Sequence, residues 1–399
     1  MSVTGTEIGH VTDSRRLTIL RHRCCQGNKP ERICMAEKLT IRDIARLAGV
    51  SKATVSRVLN QKPDVDPATR ERIERIMEEQ EFVPSITASR LAGGRSQLIG
   101  VLVPSFTWPS VPEIIRGVSE VVGLSQYELI LYSITHEQDR KEKDQRDVID
   151  RILASKLAAG LLAVFPGQSA QHLTHLHEQG FPVVMIDDQG KPTSAPWVGT
   201  DNRAGAYSAV QYLIHLGHRR IGYIHGPLNY QCTHDRYAGY CDALSEAGLA
   251  PDPALVQQGD FMPPGGRACA HQFFTMAERP TAIFAGNDFM AYGVIAAAEE
   301  YGLRVPQDVT VVGFDDTSPS AHMQPALTTV RQPFYEMGRN AIELLLFLVD
   351  SPRTVSGSHY AGSTSAQSFL KETEPIRIQL PSALVVRASC GAPRSVTIE

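Results

Sequence analysis

The sequence predicts an all-α helix–turn–helix headpiece followed by a two-lobed α/β module built on two doubly wound parallel sheets. Three observations point there. Residues 40–60, TIRDIARLAGVSKATVSRVLN, hold two short helical repeats broken at Gly49. From Gln97 onward, apolar runs of strand length alternate with helical stretches, and the alternation is played through twice. The 399 residues also exceed one ordinary core.

Thr40 and Asp43 have the spacing of a capping box, and Ile41, Ile44, Ala45 and Ala48 then repeat at helical spacing. Gly49 stops this helix because glycine tolerates the left-handed cap. Ser51 caps the next one, whose inner side is Val55, Val58 and Leu59. So short a turn makes the two helices cross steeply, the layout whose second helix can lie in the DNA major groove. Lys38, Arg42, Arg46, Lys52, Arg57 and Lys62 stand against Asp43 alone, although the whole chain has net charge −4. The positive charge is therefore local, as phosphate neutralisation requires. Two amphipathic helices with solvated charges are the plainer alternative. Asp66 and Pro67 start a third helix, with Ile73, Ile76 and Met77 facing inward and Phe82 packed beneath.

Residues 85–94, SITASRLAGG, are short, weakly helical and end in two glycines. Such a helix is marginal in water, so its folding would couple naturally to binding; a plain linker is the other reading. Beyond it, strands are expected at LIGVLVP (98–104), ELILYSI, AAGLLAVF and PVVMID, with helices near 112–124, 140–155 and 169–179 between them. A second set is expected from Trp197. It comprises helix 203–216, strand RIGYIHG, helix 235–247, a segment around LVQQGDF, helix 265–277, strand TAIFAG, helix 288–301 and strand VTVVGF. A helix over 334–350 returns to the first lobe, and residues 376–390 form terminal strands. Residues 351–370 are rich in Ser, Gly and Thr and read as a flexible insertion.

AGVSKATVSRVLN resembles the DNA-binding signature of the lactose-repressor (LacI/GalR) family, and the resemblance runs to about Val349 and resumes near the C-terminus. It implies a sequence-specific transcriptional regulator, a repressor released from its operator by a small sugar, with no cofactor. The α/β module would be a periplasmic-binding-protein-like effector domain. A homodimer is expected, because one headpiece reads one half-site of a symmetric operator. Lys52 and Ala53 would read bases, with Thr40, Ser51, Thr54, Ser56, Arg57 and Asn60 completing the DNA surface. The 85–94 segment would be a hinge helix with Leu91 as a minor-groove wedge. Ser85 stands where the family often has Asn.

Polar residues at strand ends should orient a small ligand, with aromatic rings clamping it. Asp187, Arg236, Phe261, Asn287, Asp315, Gln332 and Phe334 fall at such ends and match effector-binding positions of sugar-responsive relatives. Helix capping by Asp315 and loop satisfaction by Asn287 are the rival readings. Phe106 and Trp108, in the loop after the first strand, add stacking surface. Asp188 stands where several sugar binders have Arg. Asp201 and Asn202 are read as helix caps.

The expected organisation is an extension over 1–35, a headpiece over 36–84, a hinge and linker over 85–96 and an effector and dimerisation domain over 97–392. Its lobes span about 97–199 and 200–332, and the chain crosses back after 332. Met35 is read as the natural start, with residues 1–34 a misread or disordered extension or a basic arm. No apolar run has membrane-span length, and the seven cysteines include no CxxC pair, so a cytoplasmic protein without a metal site is expected. His215, His218 and His225 lack partners for a catalytic constellation, and no nucleophile elbow or phosphate loop occurs. A purine- or nucleoside-responsive regulator of the same fold is the main alternative. A solute-binding transport protein is the more distant one.

Overall fold

The computed structural model describes residues 39–59, 62–82, 96–133, 142–155, 157–187, 194–351 and 375–391. The 1–35 extension, Lys38, Asn60, the hinge segment with Leu91, Asp188 and all of the 351–370 insertion except Ser351 lie outside them. The chain forms two compact units, 1–94 and 95–399.

In the first unit, helices α1 (Ile41–Ala48), α2 (Lys52–Leu59) and α3 (Pro67–Glu79) enclose a small core. Asp43 accepts from the Thr40 backbone N–H at 3.0 Å and from its hydroxyl at 2.7 Å, so the expected box forms. Gly49 is left-handed, with φ 63°. Ser51 Oγ accepts from the Thr54 N–H at 3.1 Å, and Asp66 caps α3 through the Thr69 N–H at 3.0 Å. Ile44, Val55 and Ile73 are fully buried at the centre, with Met77 and Phe82 packed around them.

The second unit holds two six-stranded sheets. The first contains β1 (Leu98–Val103), β2 (Glu128–Ser133), β3 (Ala158–Val164), β4 (Val183–Ile186) and β5 (Trp197–Thr200), all parallel. Helices α4 (Val111–Gly123), α5 (Glu142–Ser155) and α6 (Ala170–Glu178) connect them. The second sheet contains β6 (Ile221–His225), β7 (Val256–Gln258), β8 (Ala282–Ala285), β9 (Thr310–Asp315) and β10 (Thr328–Arg331), again parallel. Its helices are α7 (Asn202–His215), α8 (Gln231–Glu246), α9 (Pro263–Phe274) and α10 (Asp288–Glu300). Strands β3, β4, β8 and β9 are buried almost throughout, which explains their unbroken apolar runs.

Trp197–Thr200 closes the first sheet and does not open the second, because β5 pairs with β4 and with β11 (Arg377–Leu380). The second set of elements therefore begins at α7. Helix α11 (Phe334–Asp350) returns to the first sheet as expected, burying Phe334, Met337, Ile342 and Leu345 there. It crosses α4 closely: a Cβ on Gly117 would lie 2.1 Å from the Tyr335 carbonyl oxygen, and one on Gly338 2.2 Å from that of Ile114. The last strand, β12 (Ala383–Val385), runs antiparallel to β10 in the second sheet. The chain thus passes between the lobes three times, near 200–202, 331–334 and 380–383.

Candidate nucleic-acid interface and ligand cleft

On α2 the helical period separates two faces. Val55 and Val58 are buried, while Ser51, Lys52, Ala53 and Arg57 are exposed, with Thr54 and Ser56 between them. Ser51 and Thr54 also join through their hydroxyls at 2.9 Å, which fixes the start of the helix. The Arg57 guanidinium pairs with Asp64 at 2.8 Å, a partner just beyond the stretch whose charges were counted. Both groups are more than half exposed, so this pair is weak and a phosphate can displace it. Thr40 is spent on capping α1.

In the second unit, the C-terminal ends of both sheets border a cavity of about 480 Å³. Trp108, Asp187, Arg236, Phe261, Asn287, Asp315, Gln332 and Phe334 all line it. Phe106 does not: it is 52% exposed, and Thr107, Trp108 and Ser110 of the same loop border the cavity instead. The aromatic wall crosses from lobe to lobe. Trp108 lies 5.7 Å from Phe165 in its own lobe and 6.0 Å from Tyr230 in the other, and Tyr230 meets Phe261 edge-on at 5.7 Å.

Arg236, on α8, is the electrostatic centre and is 4% exposed. Its Nε donates to Asn202 Oδ1 at 2.9 Å and its Nη1 to the Gly286 carbonyl at 2.5 Å. Its plane lies 3.8 Å from the Phe314 ring centroid, and Nη2 is 3.8 Å from Asp315 Oδ1. Burial raises the Asp315 carboxyl well above the usual carboxylate range, against the pull of Arg236. Gln332 donates to Asp315 at 2.7 Å, leaving Gln332 Oε1 buried with no partner among the described residues.

The loop-satisfaction alternative holds in part for Asn287, whose Nδ2 donates to the Phe261 carbonyl at 3.0 Å, while its Oδ1 accepts from the Met290 N–H at 2.9 Å and caps α10. Asn287 therefore braces the wall as well as lining it. Asp201 caps α7 through the Ala204 N–H at 2.9 Å, as expected. Asn202 does something else: it faces Asp187 at 3.5 Å and holds Arg236, so it ties a first-lobe residue to a second-lobe one. Asp315 is followed by Asp316, which receives Arg331 at 2.7 Å and Arg387 at 2.6 Å. That clamp fixes the turn carrying Asp315. Behind the cleft, Asp288 is fully buried and accepts from Thr317, Ser320 and Thr329. His218 is no ligand either; it bonds Thr281 and the Gly391 carbonyl, both at 2.8 Å.

Sequence reasoning missed Phe165, Tyr230, Phe289 and Asn202. Phe165 directly follows a buried strand, but being apolar it reads as part of that run and not as its polar end. Tyr230 and Phe289 carry no comparable local signal.

A helix–turn–helix reader and a two-lobed module with a ligand-sized polar cleft define the class: a DNA-binding regulator controlled by a small molecule. Residues 40–85 match the family described as bacterial regulatory proteins, lacI family, and residues 210–366 match the periplasmic binding protein-like domain. The HTH-type transcriptional repressor CytR of Escherichia coli (strain K12) is 36% identical over 321 residues, covering 80% of this chain and 92% of that one. The lac repressor dimer bound to operator and the anti-inducer ONPF superimposes with a TM-score of 0.75 at 28% identity, over 89% of this chain and 100% of that one. The transcriptional regulator CelR–cellobiose complex gives 0.63 at 30% identity, over 88% and 99%. The chain belongs to the lacI family of bacterial regulatory proteins, and it is a transcriptional regulator, not an enzyme.

Proposed function

We propose that the protein is a repressor that holds a symmetric operator as a homodimer and lets go when a small sugar fills the cleft. The observation that carries this reading is the cavity between the lobes. Its size suits a mono- or disaccharide, and both lobes supply walls, so a ligand there sets their angle. Carboxylates, amides and Arg236 can each bond ring hydroxyls, and the aromatic faces can take the apolar side of a sugar. Lys52 and Ala53 read base edges, Ser51, Thr54, Ser56 and Arg57 contact phosphate or bases, and Asn60 and Leu91 complete the contacts. The protein works in the cytoplasm, where its DNA is; no described helix is long and apolar enough to cross a membrane.

The aromatic density of the cleft favours one second reading, a nucleoside effector stacked between Trp108 and Phe261. Calorimetry of the full chain against sugars and nucleosides separates the two, and anisotropy with labelled operator shows whether the bound compound releases DNA. Saturable sugar binding that leaves operator affinity unchanged would refute the repressor mechanism.

A further inference from the structure

The charge inside the cleft is lopsided. Among its described lining residues, Asp187, Asp260 and Asp315 carry carboxylates, and Arg236 is the lone cation. Arg236 is already heavily engaged by Asn202, by the Gly286 carbonyl and by the Phe314 ring. Its remaining edge faces Asp315. The amide of Asn287 is spent on the Met290 N–H and the Phe261 carbonyl. Gln332 has given its N–H to Asp315, and its Oε1 is buried out of a ligand's reach. Neutral hydroxyl and amide groups of Thr107, Ser110, Asn229 and Tyr230 also line the cleft, but its charged groups are mostly carboxylates.

We propose, resting on the reading of the cleft as the effector site, that this cleft is charge-selective. It takes an uncharged effector rich in hydrogen-bond donors and rejects the phosphorylated or carboxylated form of the same compound. A hydroxyl or amino group can donate to the Asp187, Asp260 and Asp315 carboxyl groups that line the cleft. A phosphate dianion has no hydrogen to give these oxygens and would be desolvated beside the Asp187 and Asp260 carboxylates, with a lone guanidinium already turned to Asn202, the Gly286 carbonyl and Asp315. The repressor would then report the free metabolite while ignoring the activated product of its first kinase step.

The test is calorimetry of the full chain with matched pairs: D-ribose and ribose 5-phosphate, D-glucose and glucose 6-phosphate, adenosine and AMP, cytidine and CMP. The expected result is that every binding compound is the neutral member, with its phosphate at least ~100-fold weaker. A phosphate that binds as tightly as its neutral partner, or hits found only among phosphates, would overturn the proposal. Binding by nucleosides and not by sugars would sink the sugar reading and uphold charge selection. Inorganic phosphate serves as a probe that needs no effector: tryptophan fluorescence should show no saturable response in the wild type. A saturable response lost in Arg236→Gln would overturn the proposal. Asp260→Asn and Asp315→Asn should each narrow the gap between neutral and phosphorylated partners several-fold, and an unchanged gap in both would refute the electrostatic cause.

Discussion

Replacing Arg236 by methionine tests the electrostatics of the cleft most directly. The substitution keeps much of the volume but removes the donors to Asn202 Oδ1 and to the Gly286 carbonyl. Leaving buried acceptors unpaired costs about 1–3 kcal/mol each, so a pH-independent loss of roughly 2–6 kcal/mol is expected. At about 2 °C per kcal/mol for a unit of this size, that lowers Tm by roughly 4–12 °C. A second loss depends on pH. Burial pushes Asp315 up to about 7, and Arg236 is what holds it from going higher. A carboxyl raised above its unfolded value stabilises the fold below the unfolded value and loses that contribution as pH rises through the folded one. Without Arg236 the folded value climbs further, so the loss continues above pH 7, where the wild type has already levelled off. The gap between wild type and variant should therefore be constant near pH 5–6 and widen above 7 by about 1.4 kcal/mol per unit of added displacement. Thermal melts of wild type, Arg236→Met and Arg236→Met/Asp315→Asn across pH 5.5–8.5 measure it. A gap that stays flat or narrows with pH, or a double variant that keeps the widening, would refute the reasoning.

Gly338→Ala should cost about 1–3 kcal/mol or more, read as a lower urea midpoint, because its methyl would meet the Ile114 carbonyl oxygen at the α4–α11 crossing. Trp108→Ala should weaken effector binding roughly tenfold by calorimetry while operator affinity without effector stays unchanged, since the ring supplies stacking area in the cleft and none at DNA. On α2, Lys52→Ala should cost about 1–3 kcal/mol at one base position of the operator, whereas Arg57→Ala should weaken all sequences alike and reduce the salt slope by about 1. Ile73→Ala, at a fully buried position, should cost about 2–5 kcal/mol and abolish DNA binding in mobility shifts with calorimetric effector binding intact.

The headpiece was legible because its determinants are local. The Thr40–Asp43 box, the Gly49 stop and the Asp66–Thr69 cap each lie within a few residues, where one-dimensional spacing is three-dimensional geometry. The cleft was legible wherever a polar residue terminates an apolar run, which found Asp187, Asn287 and Asp315. The rule fails when the terminating residue is itself apolar, so Phe165 was absorbed into its strand. It also fails for Phe106, because composition cannot say which residues of a tight loop border the cleft. Assigning Trp197–Thr200 to the second set failed for a different reason. Its sheet is decided by the β4 and β11 edges it pairs with, and a hydrophobic pattern alone does not say which strands a segment joins.

Backbone conformation connects the cleft to the motion it must control. Phe165, Asp187, Phe261 and Asp315 all have positive φ, at 49°, 54°, 64° and 117°, and every one of them lines the cavity. Side-chain-bearing residues avoid this region at a cost of about 1–3 kcal/mol each, and they persist there only where surrounding contacts over-determine them. Here those contacts include the Asp316 clamp beneath Asp315 and the Asn202 bridge from Asp187 to Arg236. The crossovers carry cleft contacts as well: Asn202 begins the helix after the first, and Gln332 and Phe334, both of which line the cavity, lie on the second. Any change of angle between the lobes must rotate backbone that also carries ligand contacts. A ligand bonded to Asp315 on one side and stacked on Trp108 on the other therefore cannot fit two lobe angles equally well, and that difference in affinity is what coupling between sites requires.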